Sequence, residues 1–262
     1  MPRVPRLAAN LSLLYPQLEF LDRFAAAARA GFRGVEYQFP YAWPKERVAE
    51  SARAAGLEVV LHNIPAGDPA KGERGLACLP GRVAEFKEGV ARAIEVGTAL
   101  GVPQLNCLAG KAPANVTASE LRETFVSNLR YAAGELKKAN LKLLIEPINT
   151  YDIPGFYLNR TAQALAILED VGADNAFLQY DAYHMQRMEG ELAATIEKHL
   201  PRIAHIQIAD NPGRNEPGTG EINFANLFKS IDAAGYRGWI GCEYKPAAMT
   251  EDGLGWIQPF RR

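Results

Sequence analysis

The chain has 262 residues, a formal net charge of -1, and hydrophobic and charged fractions of 48% and 23%. That balance excludes a general polyanion binder, and no apolar run reaches the length of a helical membrane span, so neither nucleic acid nor membrane is an expected partner. The length suits a single α/β barrel domain over residues 1–262. Cys78, Cys107 and Cys242 lack metal-type pairing, and no apolar leader precedes Asn10, so a reducing, cytoplasmic setting is expected.

In chain order, Leu and Ala residues flanking Asn10 and Ser12 predict a first strand over residues 7–14. Apolar residues at helical spacing (Leu18, Leu21, Phe24, Ala25, Ala28) then predict a helix over 17–30 that Gly31 ends. A strand over 34–39 and a helix over 44–55, opened by Pro44 and closed by Gly56, follow. After a third strand over 57–64 comes a Gly- and Pro-rich loop over 65–81, long enough to suggest function; its Gly72-Glu73-Arg74-Gly75 run reads as a lid or a subunit contact. A helix over 82–100 leads to a strand over 102–108, and Thr117 with Glu120 is a capping-box pair for a helix reaching residue 139.

Lys142 to Ile145 reads as a strand buried on both faces that ends in Glu146 and is closed by Pro147. Helix 161–171, strand 176–180 ending in Asp181, helix 191–200, strand 202–208, helix 224–234 and strand 239–242 ending in Glu243 continue the pattern. The final helix looks short, because residues 250–257 hold two glycines; Trp256 and Phe260 are then free to cover the barrel bottom or a partner chain, which admits a homo-oligomer. Eight strands alternating with helices predict a (β/α)8 barrel, and the lack of a Gly-x-Gly-x-x-Gly turn weakens an open doubly wound sheet.

Barrels of this kind carry their chemistry at the C-terminal ends of several strands. Glu146, Asp181, Gln207 and Glu243 come from four late strands whose ends converge on one mouth. One strand-end acid is ordinarily solvated or paired, but three at one mouth repel one another unless a cation lies between them. Two Glu, one Asp and a Gln amide suit a hard divalent ion such as Mg2+ or Mn2+, and no organic cofactor is implied. His184 reads as a satisfied loop histidine or as a group reaching a substrate oxygen, and His62 as a core residue or a site residue. Arg214, in a loop full of turn formers, reads as a clamp on a substrate carboxylate or as a solvated charge, and Lys245 carries the same two options.

Several runs then resemble the hydroxypyruvate isomerase family: Gly72-Glu73-Arg74-Gly75, Leu108-Ala109-Gly110, Ile145-Glu146-Pro147-Ile148-Asn149, His205-Ile206-Gln207-Ile208-Ala209-Asp210, the Pro212 to Asn223 loop and Gly241-Cys242-Glu243-Tyr244. The resemblance covers nearly the whole chain. It implies a xylose-isomerase-like TIM barrel acting on a small hydroxy-oxo acid: hydroxypyruvate isomerised to 2-hydroxy-3-oxopropanoate (tartronate semialdehyde), or a 2-oxo-tetronate one carbon longer. It also implies that Glu146 and Glu243 are the acid/base pair of a proton transfer through an enediol. Gln207 stands where related one-metal epimerases have a histidine, and the neutral amide makes Mg2+ the first expectation. That departure weakens a ketose 3-epimerase. Four histidines that build no multi-zinc cluster disfavour an apurinic endonuclease, and a noncatalytic sugar-acid binding barrel is the alternative from outside the enzymes.

Overall fold

The computed structural model describes residues 5–260; residues 1–4 and 261–262 of the expected 1–262 unit lie outside the described residues. Eight parallel strands close into a barrel in chain order: β1 (Arg6–Asn10), β2 (Gly34–Glu36), β3 (Glu58–Asn63), β4 (Gln104–Cys107), β5 (Lys142–Ile145), β6 (Ala176–Asp181), β7 (Ile203–Ile208) and β8 (Trp239–Cys242). Outside them run α1 (Arg23–Arg29), α2 (Lys45–Ala54), α3 (Val83–Leu100), α4 (Ala118–Lys138), α5 (Thr161–Val171), α6 (Ala182–Met188), α7 (Leu192–His199) and α8 (Phe224–Ala233). No helix among the described residues is long and apolar enough to cross a membrane. The three cysteines are free and buried.

Strands buried on both faces alternate side chains between the helical jacket and the barrel interior. The outward set joins the helices in the main core. The inward set begins with an apolar plug of Ala8, Val60, Leu61, Leu144 and Trp239, consecutive Val60 and Leu61 both reaching it because the β2–β3 register shifts there. Gly34 makes room for it, since a Cβ there would meet the Trp239 ring at 2.8 Å. Trp239 is held from outside by Arg6, stacked at 4.0 Å, and by its Nε1 donating to Glu58 Oε1 at 3.0 Å. Toward the C-terminal ends the interior turns polar, with Asn10, Glu36, Asn106, Gln179, His205 and Gln207 all buried.

Local signals explain most element ends. Thr117 and Glu120 form the expected capping box of α4, and Gly101 and Gly172 close α3 and α5 in the left-handed conformation. Several segments depart from the sequence reading: the helix expected over 17–30 is a 3-10 turn, Phe20–Asp22, followed by α1, and the strand expected over 34–39 ends at Glu36. β1 stops at Asn10, because the Asn10 amide oxygen accepts from Ser12 N at 3.1 Å and turns the chain. The segment after Asp181 is a helix, α6, with Asp181 as its N-cap accepting from Tyr183 N at 2.8 Å. The last element is a 3-10 helix, Asp252–Phe260, whose Trp256 and Phe260 pack on Phe228 of α8 at 6.1 and 4.9 Å.

The 65–81 loop is anchored at both ends of its Glu73-Arg74-Gly75 corner. Arg82 pairs with Glu73 at 2.7 Å, Gly75 bridges to Ala109, and Asn128 donates to Ala77 O at 2.9 Å. At that bridge Gly75 (φ 127°) and Gly110 (φ 104°) lie backbone on backbone, so a Cβ on either would overlap the other's main chain. Replacing Gly75 with Ala should therefore cost about 2 kcal/mol or more in denaturant unfolding. Gly134, exposed in α4 with open space at its Cβ, is the contrast: Gly134→Ala should stabilise by up to about 1 kcal/mol.

Candidate active site

The polar mouth is assembled from strand ends. Glu146, just past β5, accepts at Oε2 from Asn106 Nδ2 of β4 at 2.8 Å. Glu243, just past β8, accepts at Oε1 from Gln38 Nε2 at 2.7 Å. Asp181 uses Oδ1 to cap α6, leaving Oδ2 buried without a hydrogen-bond partner among the described residues. None of the three is more than 5% exposed, so each carboxylate has lost its water and gained little in return.

Their protonation follows. Burial, reinforced by Glu243 and Asp181, pushes Glu146 well above the usual carboxyl range. Burial likewise raises Glu243 to about 7 and Asp181 to about 6, each partly opposed by Arg214. Arg214 Nη2 lies 3.4 Å from Glu243 Oε2 and 4.0 Å from Asp181 Oδ2. Burial works against its charge, but Glu243, Asp181 and Glu146 outweigh it and raise its pKa. Its Nε is a buried donor with no hydrogen-bond partner among the described residues.

The loop that delivers Arg214 is tied by one carboxylate. Asp210 accepts from four backbone N–H groups, those of Asn211, Gly218, Gly220 and Ile222, at 2.9 to 3.0 Å. Arg214 itself has φ 58°, unusual outside glycine, held by Arg214 N to Asp210 O and Lys245 N to Arg214 O at 2.9 and 2.8 Å. Tyr183 of α6 sits 5.2 Å below the guanidinium and donates through its hydroxyl to Asp152 at 2.7 Å.

Glu146, Asp181 and His184 each offer a donor atom within 4.8 Å of the others, a group that could hold a metal ion. The unpartnered Asp181 Oδ2 and the mutual repulsion of the carboxylates fit a hard divalent cation. The imidazole is neutral, since burial, Arg214 and Arg187 drive its pKa well below the ordinary value. Asn149 is oriented by Asp152, which receives its Nδ2 at 3.0 Å and donates N–H to its Oδ1 at 2.8 Å. Asn149 therefore presents Nδ2 to His184 Nδ1 at 2.7 Å, which puts the ring proton on Nε2, facing Asp181 Oδ2 at 3.6 Å and Glu146 Oε1 at 3.9 Å. In this arrangement the anionic donors are Glu146 and Asp181, and His184 offers an N–H.

Of the residues expected from sequence, Glu146, Asp181, Glu243, His184 and Arg214 gather at one mouth. Gln207 faces the same interior, but its oxygen accepts from Gln179 at 2.6 Å and its nitrogen donates to Glu36 at 2.7 Å, so the amide expected to ligate a cation is already engaged. Glu243 stands apart from the Glu146–Asp181–His184 group, held by Gln38 and Arg214. His62 is corrected: Leu61 and Asn63 line the central cavity, so His62 between them points outward, against Tyr41 and the α3 backbone at Gly97. Burial lowers it to about 4, the mark of a neutral packing group. Lys245 has an exposed side chain, and its backbone N–H donates to Arg214 O. Missing from the sequence reading were Asn106, Asn149 and the cinch role of Asp210; polar residues breaking apolar strands were the available signal for Asn106.

The family described as xylose isomerase-like TIM barrel matches residues 24–260. The chain is 55% identical over 256 residues to hydroxypyruvate isomerase of Escherichia coli (strain K12), covering 98% of this chain and 99% of that one. It is 46% identical to 2-oxo-tetronate isomerase of Cupriavidus necator, covering 98% and 99%. Among solved structures, a protein titled AP endonuclease, family 2, from Brucella melitensis superposes with a TM-score of 0.96 at 41% identity over 100% of both chains.

Raised carboxyl pKa values carry a sign for stability. Where Asp181 (about 6) and Glu243 (about 7) exceed their unfolded values, the native state binds more protons, so stability falls as pH rises through the window from about 4 to about 7. In chelator, the melting temperature should rise by several degrees as pH is lowered from about 8 to about 6, and Glu243→Gln should flatten that slope. Saturating Mg2+ or Mn2+ should raise the midpoint most at the alkaline end, where the carboxylates are ionised. A slope identical in wild type and Glu243→Gln would contradict the assignment.

Proposed function

The chain belongs to the xylose isomerase-like TIM barrel family and, within it, to the hydroxypyruvate isomerase group, and from that premise we propose that it is a cytoplasmic aldose-ketose isomerase interconverting hydroxypyruvate and 2-hydroxy-3-oxopropanoate. The observation that carries this reading is the pairing of two buried, proton-hungry glutamates, Glu146 and Glu243, with a guanidinium that has an unused buried donor. A carboxyl poised near neutrality can both take and return a proton, and the free Arg214 donor is suited to a substrate carboxylate.

In the proposed reaction one glutamate removes a proton from C3 of hydroxypyruvate, giving an enediolate with its negative charge on the C2 oxygen. The hydroxyl proton on the C3 oxygen is exchanged for one on the C2 oxygen, and the other glutamate delivers a proton to C2. Atoms balance without an oxidant or reductant. Arg214 binds the carboxylate, and the His184 Nε2–H donates to a substrate oxygen as negative charge grows there. Gln38 and Asn106 keep the two glutamates aimed into the mouth. A divalent cation held by Glu146 and Asp181, Mg2+ first because the donors are hard oxygens, supplies Lewis-acid polarisation of the substrate oxygens when bound.

A second reading, 2-oxo-tetronate isomerisation by the same chemistry, is favoured by the relative of that name at 46% identity. An endonuclease reading is not favoured, because the chain has four histidines and His62 is turned away from the mouth.

Proton NMR in D2O tests the proposal with hydroxypyruvate and 2-oxo-tetronate, each run with Mg2+, with Mn2+ and after chelation. Deuterium should enter the substrate carbon that gains a proton, faster with hydroxypyruvate, and chelation should slow turnover. Glu146→Gln and Glu243→Gln should each lower kcat by about a hundredfold or more with the melting transition retained. Near-normal turnover in either variant would remove the glutamate pair.

A further inference from the structure

Directly above the apolar plug, Glu36 is a fully buried carboxylate surrounded by donors. Asn10 Nδ2 and Gln207 Nε2 donate to Oε1 at 2.9 and 2.7 Å, and His205 Nε2 meets Oε2 at 2.6 Å. Gly241 leaves the space, since a Cβ there would overlap the Glu36 carboxylate. Oε1 accepts from both amides, so Gln207 turns its nitrogen to Glu36 and its oxygen away. That oxygen accepts from Gln179 Nε2 at 2.6 Å. With its own nitrogen committed, Gln179 must aim Oε1 in the opposite direction.

Gln179 is 1% exposed, and its Oε1 is a buried acceptor with no partner among the described residues. Such an acceptor is costly unless a donor fills it. Gln179 lines a small enclosed cavity together with Asn10, Asn63, Gln207, Glu146 and Glu243, with room for about one oxygen-sized group. Glu36 on β2 thus fixes the polarity of amides on β7 and β6, and the relay ends in one acceptor on a residue that lines the same cavity as the two glutamates.

Building on the isomerase reading, we propose that Gln179 is a specificity-determining residue whose Oε1 accepts a hydrogen bond from a substrate hydroxyl placed between Glu146 and Glu243, its polarity dictated by Glu36 through Gln207. The chemistry that fits is an O–H donor. A carbonyl or carboxylate oxygen would set lone pairs against lone pairs, and a methylene would leave the acceptor unpaired. The site therefore selects small acids that carry a hydroxyl over their deoxy counterparts.

Calorimetric titration with lactate, 3-hydroxypropanoate and propanoate, in buffer containing Mg2+, separates this role from a structural one. Wild type should bind at least one hydroxy acid about tenfold more tightly than propanoate. Gln179→Met, which keeps the length but removes the acceptor, should narrow that preference to about threefold or less while leaving propanoate binding within about twofold. If Gln179→Met does not fold, Gln179→Asn, which withdraws the oxygen by one methylene, is expected to show the same narrowing. Equal binding of all three acids by wild type, or a preference unchanged in the variant, as when a structural water fills the cavity, would overturn the proposal. Hydroxypyruvate turnover by wild type is followed in parallel. Absent turnover with an intact, Gln179-dependent preference contradicts the isomerase reading alone, and turnover without the preference contradicts this proposal alone.

Discussion

Burial of negative charge is the constraint on which this barrel's interior depends. Glu36, Glu146, Asp181 and Glu243 all lie inside, each nearly or wholly removed from water. Glu36 is compensated by three side chains from two strands, Asn10 of β1 and His205 and Gln207 of β7. The upper three receive fewer neutral donors and share one guanidinium, and they remain eager for protons. The contrast divides the interior by depth: a satisfied anion below that organises amides, and under-compensated anions above that can exchange protons or hold a cation. Reactivity sits where compensation is incomplete.

Arg214 must then be held with some rigidity, because a guanidinium free to swing into water would leave the upper carboxylates more costly still. The chain spends a whole loop on this. Asp210 gathers four backbone amides, the Lys245 backbone pins the Arg214 carbonyl, and Arg214 adopts a left-handed conformation that the loop enforces. Helix α6 completes the seat, with Tyr183 beneath the guanidinium and His184 beside it in sequence turned toward Asp181 and Glu146. The Asp181 carboxyl that caps this helix also faces the mouth, so one side chain joins helix placement to site charge.

The architecture was legible from strand and helix periodicity, glycine stops and the Thr117–Glu120 cap, all of which act over a few residues. The acids at the strand ends were legible for the same reason: a carboxylate closing an apolar run is conspicuous. What could not be read was direction. His62 and Asn63 are neighbours, and only the pleat decides that Asn63 faces the cavity while His62 faces α3. Gln207 looks like a ligand until Glu36, 171 positions earlier, is seen to hold its nitrogen. The segment carrying His184 was read as a loop because its helix is a mere seven residues, too short to show a period.

The glutamine at position 207 has a physical consequence of its own. It must donate to Glu36 and accept from Gln179 at once, which a primary amide does in one permanent orientation. A histidine in its place could do the same only as one neutral tautomer. On taking up a proton beside the buried Glu36, the ring would present donors at both ends, and Gln179 would have to turn its oxygen toward it and withdraw the acceptor from the cavity. An amide has no second protonation state near neutral pH. The relay beneath the two glutamates therefore keeps its polarity while the carboxyls above it gain and lose protons, and the lower layer stays fixed so that the upper one can change.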